Sequence, residues 1–127
     1  MQTLVQQDLN NPERGPVVTR AVLRSAERLG LSARLLGAVI GLSEPTISRM
    51  KRGEYVLEDK TKSFELSVLL VRVFRSLDAI TGGNDAVAKA WIKNANTALG
   101  GKPADKLVSI SGLVDVIAYL DARRALV

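Results

Sequence analysis

The sequence predicts an all-α protein: a helix-turn-helix near the N-terminus, followed by a longer helical half. Three observations carry that expectation. Apolar residues recur at three- and four-residue intervals along most of the chain. Glycines close these stretches, and Ser or Asn stands just before several of them, as helix ends require. No alternating apolar run bounded by turn residues marks a strand.

The elements follow in order. Residues 1–16 read as a mobile tail punctuated by Asn10, Asn11, Pro12, Gly15 and Pro16. From Val17 a helix places Val18, Val22, Ala26 and Leu29 on one face and stops at Gly30. Ser32 caps the next, with Leu35, Leu36, Val39 and Ile40 as apolar positions and Gly41 as its end. Ser43 caps a third from Glu44 to about Arg52, closed by Gly53. Residues 54–61 are polar and read as a loop. Leu66, Leu69, Leu70, Val73, Phe74, Leu77 and Ile80 then mark a long helix. Val68 and Val71 widen its apolar face, which predicts burial on more than one side.

Gly82 and Gly83 end that helix, and Asn84 caps one containing Val87, Ala90, Trp91 and Ile92. Leu99, Gly100, Gly101 and Pro103 form a turn before about one helical turn over residues 104–108. Ser109 caps the last helix, with Leu113, Val116, Ile117 and Leu120 on one side. The expected organisation is a tail over residues 1–16, a helix-turn-helix domain over 17–60 and a helical domain over 61–127.

Composition narrows the function. The chain has 127 residues and is 46% hydrophobic, enough for a real core. It contains no Cys and no His, so disulfides, Cys or His metal sites and His-activated nucleophiles are excluded. No cofactor and no metal are expected. Residues 1–17 contain no apolar run of the kind a secretory signal needs, and no stretch approaches a membrane span. A cytoplasmic protein without membrane contact is expected. The net charge of +5 is concentrated: residues 14–62 hold ten Lys or Arg against five acids, and residues 65–127 hold eight against six. Residues 1–13 carry two acids and no base.

The basic excess surrounds GLSEPTISRMKRG, residues 41–53. Gly37 and Ala38 are small where two helices must cross, and Gly41 supplies a turn with positive φ. Leu42 and Ile47 point inward. Pro45 sits at the second helical position, where a missing N–H costs little. In the docking geometry of this motif the second helix enters the major groove. Glu44, Pro45, Thr46 and Arg49 are then the exposed positions that reach base edges, with Arg49 the specificity candidate through paired hydrogen bonds to guanine. Ser43, Ser48, Lys51 and Arg52 are expected on phosphates. The competing reading of these residues is a solvated basic helix.

LGAVIGLSEPTISRMKRG resembles the helix-turn-helix of the Cro/repressor-like (Xre) class, with Glu44 where that class often has glutamine. AKAWIKNANTALGGKPADKLVSISGLVDVIAYL, residues 88–120, resembles the Xre/MbcA/ParS toxin-binding domain. The matching residues are Ala90, Trp91, Asn96, Leu99, Gly100, Gly101, Lys102, Pro103, Leu107, Ser109 and Gly112, and Ala95 departs from the usual proline. On the residues themselves, Trp91 is expected in the core with its indole N–H bonded to a carbonyl, and Asn96 is expected to close a turn.

The resemblance implies an antitoxin of a type II toxin-antitoxin system. Its partner would be a RES-domain toxin that consumes NAD or transfers from it, and the antitoxin would block the toxin's active site. The resemblance also implies a homodimer that binds operator DNA and represses its own operon. By the same analogy the C-terminal end faces the toxin, through Asp121, Arg123, Arg124, Ala125, Leu126 and Val127. The alternatives are a stand-alone helix-turn-helix repressor with a dimerising C-terminal domain, and an enzyme using Asp78, Asp85, Asp105 or Asp115. No pair of these carboxylates has a spacing that compels a site, so no enzyme is expected.

Overall fold

A computed structural model of the chain describes residues 13–126. Among these the protein is all-helical, with seven α-helices, one 3₁₀ turn and no β-strand. The helices are α1 (Arg14–Leu29), α2 (Ala33–Ile40), α3 (Glu44–Lys51), α4 (Lys62–Thr81), α5 (Asp85–Lys93), α6 (Pro103–Lys106) and α7 (Ile110–Arg124). The 3₁₀ turn, Thr97–Leu99, lies between α5 and α6. No helix is long and apolar enough to cross a membrane among the described residues.

Capping explains most of the boundaries. The Ser32, Ser43, Asn84 and Ser109 side chains each accept a backbone N–H three residues on, as their positions in the sequence predict. Thr61 does the same for α4, accepting from the Phe64 N–H at 3.2 Å. Gly30, Gly41 and Gly82 end α1, α2 and α4 in the left-handed region. The expected end of α1 is therefore found, but its start differs. The helix begins at Arg14, so Gly15 and Pro16 lie in its first turn rather than in a tail. Proline is at home there, because first-turn N–H groups have no helical partner. Gly15 is buried for a separate reason: a Cβ on it would stand 2.4 Å from the Leu57 carbonyl oxygen. Residues 1–12, the rest of the expected tail, lie outside the described residues.

The start of α1 is tied to the loop before α4. The Thr19 hydroxyl donates to the Gly15 carbonyl at 2.7 Å and accepts the Leu57 N–H at 2.9 Å. Arg14 pairs with Asp59 at 3.1 Å and lies over the Phe64 ring. At the other end of the helix Arg28 lies over Phe74. With Arg14 beside Phe64 and Arg28 beside Phe74, α1 and α4 run side by side in the same direction.

One contiguous core runs through both halves. It contains Val22 and Leu29 of α1, Leu36 and Ile40 of α2, Ile47 of α3, Leu70 and Leu77 of α4, Ile92 of α5, and Leu113 and Leu120 of α7. Helix α4 packs against α1, α2, α5 and α7, so it is buried on more than one side as its sequence predicts. Val68 is the exception. It does not join that burial and stays 39% exposed, because the space between α1, α4 and α7 is an open groove.

Arg28 fastens the two halves together, a role its sequence position did not reveal. Its guanidinium donates to Asp85 and to Asp78, each at 3.0 Å, while stacking on Phe74. The hydrogen bond to Asp85 is the main cause that raises the Arg28 pKa above the ordinary arginine value. Both acids lie at the junction of α4 and α5, so one α1 side chain ties the end of α4 to the start of α5. Arg28→Ala is expected to lower the melting temperature clearly, and Arg52→Ala hardly at all. The Arg52–Glu54 pair at 3.1 Å is more than half exposed at both side chains and is weakened by solvent. Thermal melts of the two variants at equal concentration check this.

Candidate functional sites

The first site is built by the crossing of α2 and α3. A Cβ on Gly37 would stand 2.4 Å from the Leu42 carbonyl oxygen and 3.5 Å from the Ile47 side chain. Only glycine lets the turn return this close to its own helix. Gly41 then reverses the chain at φ 76°, donating its N–H to the Gly37 carbonyl. Ile47 and Met50 are buried beneath α3 and set its rotation. That rotation leaves Glu44, Pro45, Arg49, Lys51 and Arg52 exposed and Ser48 partly so.

Thr46 departs from the expected pattern. It is 9% exposed rather than presented to solvent, because it lies over the α2–α3 turn. Its hydroxyl is 2.8 Å from the Ser43 hydroxyl and accepts a hydrogen bond from Arg49 Nη2 at 2.9 Å. The Ser43 hydroxyl in turn accepts the Thr46 N–H at 3.2 Å. Thr46 is therefore a brace for Arg49 and not itself an exposed contact. The i, i+3, i+6 spacing of Ser43, Thr46 and Arg49 was visible in the sequence; that the three side chains join was not. Arg52 is held by Glu54, so a phosphate competes with that carboxylate for it.

The surface of α3 thus carries a braced arginine, a lysine with no ion pair among the described residues and the positive end of a capped helix, all suited to a nucleic-acid backbone.

The second site lies in the C-terminal half. Asn96 and Gly101 close a small loop by exchanging backbone hydrogen bonds of 2.9 and 3.2 Å, and the Asn96 side chain accepts the Leu99 N–H. Gly100 occupies the left-handed region within it. Gly112 is a packing position: a Cβ there would stand 2.1 Å from the Lys106 carbonyl oxygen. It brings the start of α7 onto α6.

Trp91 is not the core residue expected from the sequence. It is only partly buried, at the edge of α5, and stacks on Tyr119 of α7 with ring centroids 6.0 Å apart. Among the described residues its indole makes no hydrogen bond. With Val87, Ile80 and Arg123 the two rings line a shallow cleft.

The C-terminal residues separate. Asp121 is not free at the terminus, since α7 presents it to α4, where it pairs with Arg72 and accepts a 3.4 Å hydrogen bond from Ser76. Arg123 faces the Trp91–Tyr119 cleft, while Arg124 borders the groove between α1, α4 and α7. Ala125 is exposed and Leu126 is 85% exposed. Val127 lies outside the described residues.

Three of the four carboxylates considered for an enzyme are held in ion pairs. Asp78 and Asp85 hold Arg28, and Asp115 pairs with Lys106 at 3.3 Å.

Comparison with known proteins assigns both halves. Residues 8–72 match the antitoxin Xre-like helix-turn-helix domain. The chain belongs to this antitoxin family. Residues 76–125 match the antitoxin Xre/MbcA/ParS C-terminal toxin-binding domain, so the Trp91–Tyr119 pair, the Asn96–Gly101 loop and α7 all lie in the toxin-binding part of the antitoxin. No curated protein matches the chain. The first match ends and the second begins within α4, the helix that packs on α1, α2, α5 and α7 alike.

Proposed function

We propose that this antitoxin binds a RES-domain toxin through its C-terminal half, blocks the toxin's NAD site, and represses its own operon through α3 as a homodimer. The observation that carries the reading is the succession of the two domains on one chain, each with its own exposed cationic surface. Helix α3 offers Arg49 and Lys51; the far end of α7 offers Arg123 and Arg124. The protein acts by binding rather than by catalysis, and it does so in the cytoplasm, where operator and toxin are found together.

On the DNA, Arg49 reads base edges while Ser43, Ser48, Lys51 and Arg52 meet phosphates. Glu44 and Pro45 stand at the tip of α3, and Thr46 acts through Arg49. On the toxin, Arg123, Arg124, Ala125, Leu126 and Val127 form the contacting end, with Asp121 holding that end to α4. Arginine suits this task because its planar fork pairs with carboxylates and other polar oxygens at a pocket entrance.

Removal of residues 122–127 tests the toxin surface while leaving Asp121 in place. The truncated protein is expected to lose neutralisation of a co-expressed toxin from the adjacent reading frame, yet to retain operator binding. Normal neutralisation by the truncated chain contradicts the assignment of this end.

A second reading, a stand-alone repressor whose C-terminal half only dimerises it, explains α3 equally well. The toxin-binding match over residues 76–125 favours the antitoxin.

A further inference from the structure

The cleft between α5 and α7 has no role in the contacts assigned so far, apart from Arg123 at its edge. Trp91 of α5 and Tyr119 of α7 line it as a stacked pair, with ring centroids 6.0 Å apart and planes 20° apart. Ile80 and the fully buried Leu120 lie deeper. Val87, which is 49% exposed, stands at the rim with Arg123. The volume of the cleft is about 180 Å³. A cavity of about 150 Å³ holds a benzene-sized group, so the space suits one apolar side chain.

Three polar groups at the cleft have no protein partner among the described residues: the Trp91 indole N–H, the Tyr119 hydroxyl and the Arg123 guanidinium. Water satisfies them in the free protein, and a partner can replace that water. No acidic residue lines the cleft, so the charge of Arg123 is uncompensated there. Trp, Tyr and Arg are the side chains enriched at the energetic centres of protein interfaces, because each joins a large apolar area to a polar tip. The stack already fixes both rings, so little side-chain freedom remains to be lost on binding. Every residue lining the cleft falls within the toxin-binding match over residues 76–125. The larger groove between α1, α4 and α7 instead takes Val17, Val18, Ala21, Val68 and Val71 from outside that match.

We propose that this cleft is the anchor site for the toxin. It receives one apolar side chain of a toxin segment, and a carboxylate of the same segment pairs with Arg123. A carbonyl of that segment accepts from the Trp91 indole N–H. The inference rests on the antitoxin reading and adds to it the place where the toxin is gripped. Arg123 belongs to both surfaces, so the C-terminal end extends the contact made at the cleft.

Trp91 is the sole tryptophan of the chain, so fluorotryptophan gives the full-length protein a single fluorine NMR signal. When the separately purified product of the adjacent reading frame is added without label, that signal is expected to shift. Its response to a change from ordinary to heavy water is expected to disappear. Two exposed valines supply matched variants, Val87→Arg in the cleft and Val114→Arg on the outer face of α7. Neither position belongs to the buried core. Val87→Arg and Arg123→Glu are each expected to weaken toxin binding at least about tenfold, and Val114→Arg by less than about twofold. Normal affinity of either cleft variant overturns the proposal and leaves the antitoxin reading in place. So do equal losses for the two valine variants, or an unmoved fluorine signal in a complex that does form. Failure of the unaltered chain to bind the toxin overturns both.

Discussion

Gly112→Ala is expected to destabilise the protein by about 2 kcal/mol, even though alanine is the better helix former. The new Cβ would stand 2.1 Å from the Lys106 carbonyl oxygen, 2.8 Å from its carbon and 2.9 Å from the Ser109 hydroxyl. Two of the three are backbone atoms, which cannot rotate aside as a side-chain tip can. The gain in helix propensity is about 1 kcal/mol, and forcing apart a well-packed contact of this kind costs about 3 kcal/mol, so the clash dominates. Relief requires α6 and α7 to separate, which disturbs Leu107 and Leu113, both fully buried. Gly101→Ala is the matched control. A Cβ at Gly101 meets nothing within 4 Å and its φ lies outside the left-handed region. It is expected to change stability by no more than about 0.5 kcal/mol. Urea unfolding of the two variants measures the difference. Equal midpoints would mean that α7 does not need its close approach to α6.

Arg49→Ala is expected to remove about 1–3 kcal/mol of discrimination between the operator and a sequence altered at the contacted base pair. That corresponds to a loss of specificity of roughly five- to 150-fold. Lys51→Ala is expected to behave differently. It weakens binding to both sequences alike and reduces the slope of log affinity against log salt by about 0.9, the signature of one lost phosphate contact. Thr46→Val separates the brace from the contact. Valine fits the same buried space but cannot accept the hydrogen bond from Arg49, so specificity falls in the same direction as for Arg49→Ala and by less. Titrations of both DNA sequences at several salt concentrations distinguish the three variants. Losses that are equal and blind to sequence for Arg49→Ala and Lys51→Ala would rule out base reading by Arg49.

Much of the fold was legible because its signals are local. Ser32, Ser43, Asn84 and Ser109 cap their helices through side chains that accept from backbone N–H donors three residues on, and Gly30, Gly41 and Gly82 end theirs through their own backbone. Such geometry is set within a few residues. The α2–α3 crossing was legible for the same reason: Gly37, Gly41 and Leu42 meet within one turn. What was not legible depends on residues far apart in the chain. Arg28 reaches Asp78 and Asp85 across 50 and 57 positions, and nothing near Arg28 announces its partners. Val68 fits the apolar repeat of α4, yet it borders a groove whose other walls are α1 and α7. Trp91 follows the pattern of a core residue and instead lies at the edge, because Tyr119, on another helix, offers it a stacking surface. Gly100, Gly101 and Gly112 looked alike in the sequence. One adopts a left-handed backbone, one stands in open space, and one permits two helices to touch.

The start of α1 shows how a local rule can mislead. Gly15 and Pro16 are turn formers and read as part of a tail. Each is also compatible with a first helical turn, and the contact with the Leu57 carbonyl selects that outcome from 42 positions away. The division of the C-terminus was hidden in a similar way. Arg123 and Arg124 are neighbours in sequence, but successive positions on a helix point about 100° apart. One therefore joins the aromatic cleft and the other the groove.

The central claim is that this chain neutralises a toxin by binding it. The direct measurement is the mass of the complex formed when the chain is co-expressed and purified with the product of the adjacent reading frame. A stable assembly containing both chains, with the toxin inactive until the antitoxin is removed, is the predicted result. Separate elution of the two chains, with growth of the cells unaffected by the presence or absence of this protein, would contradict it.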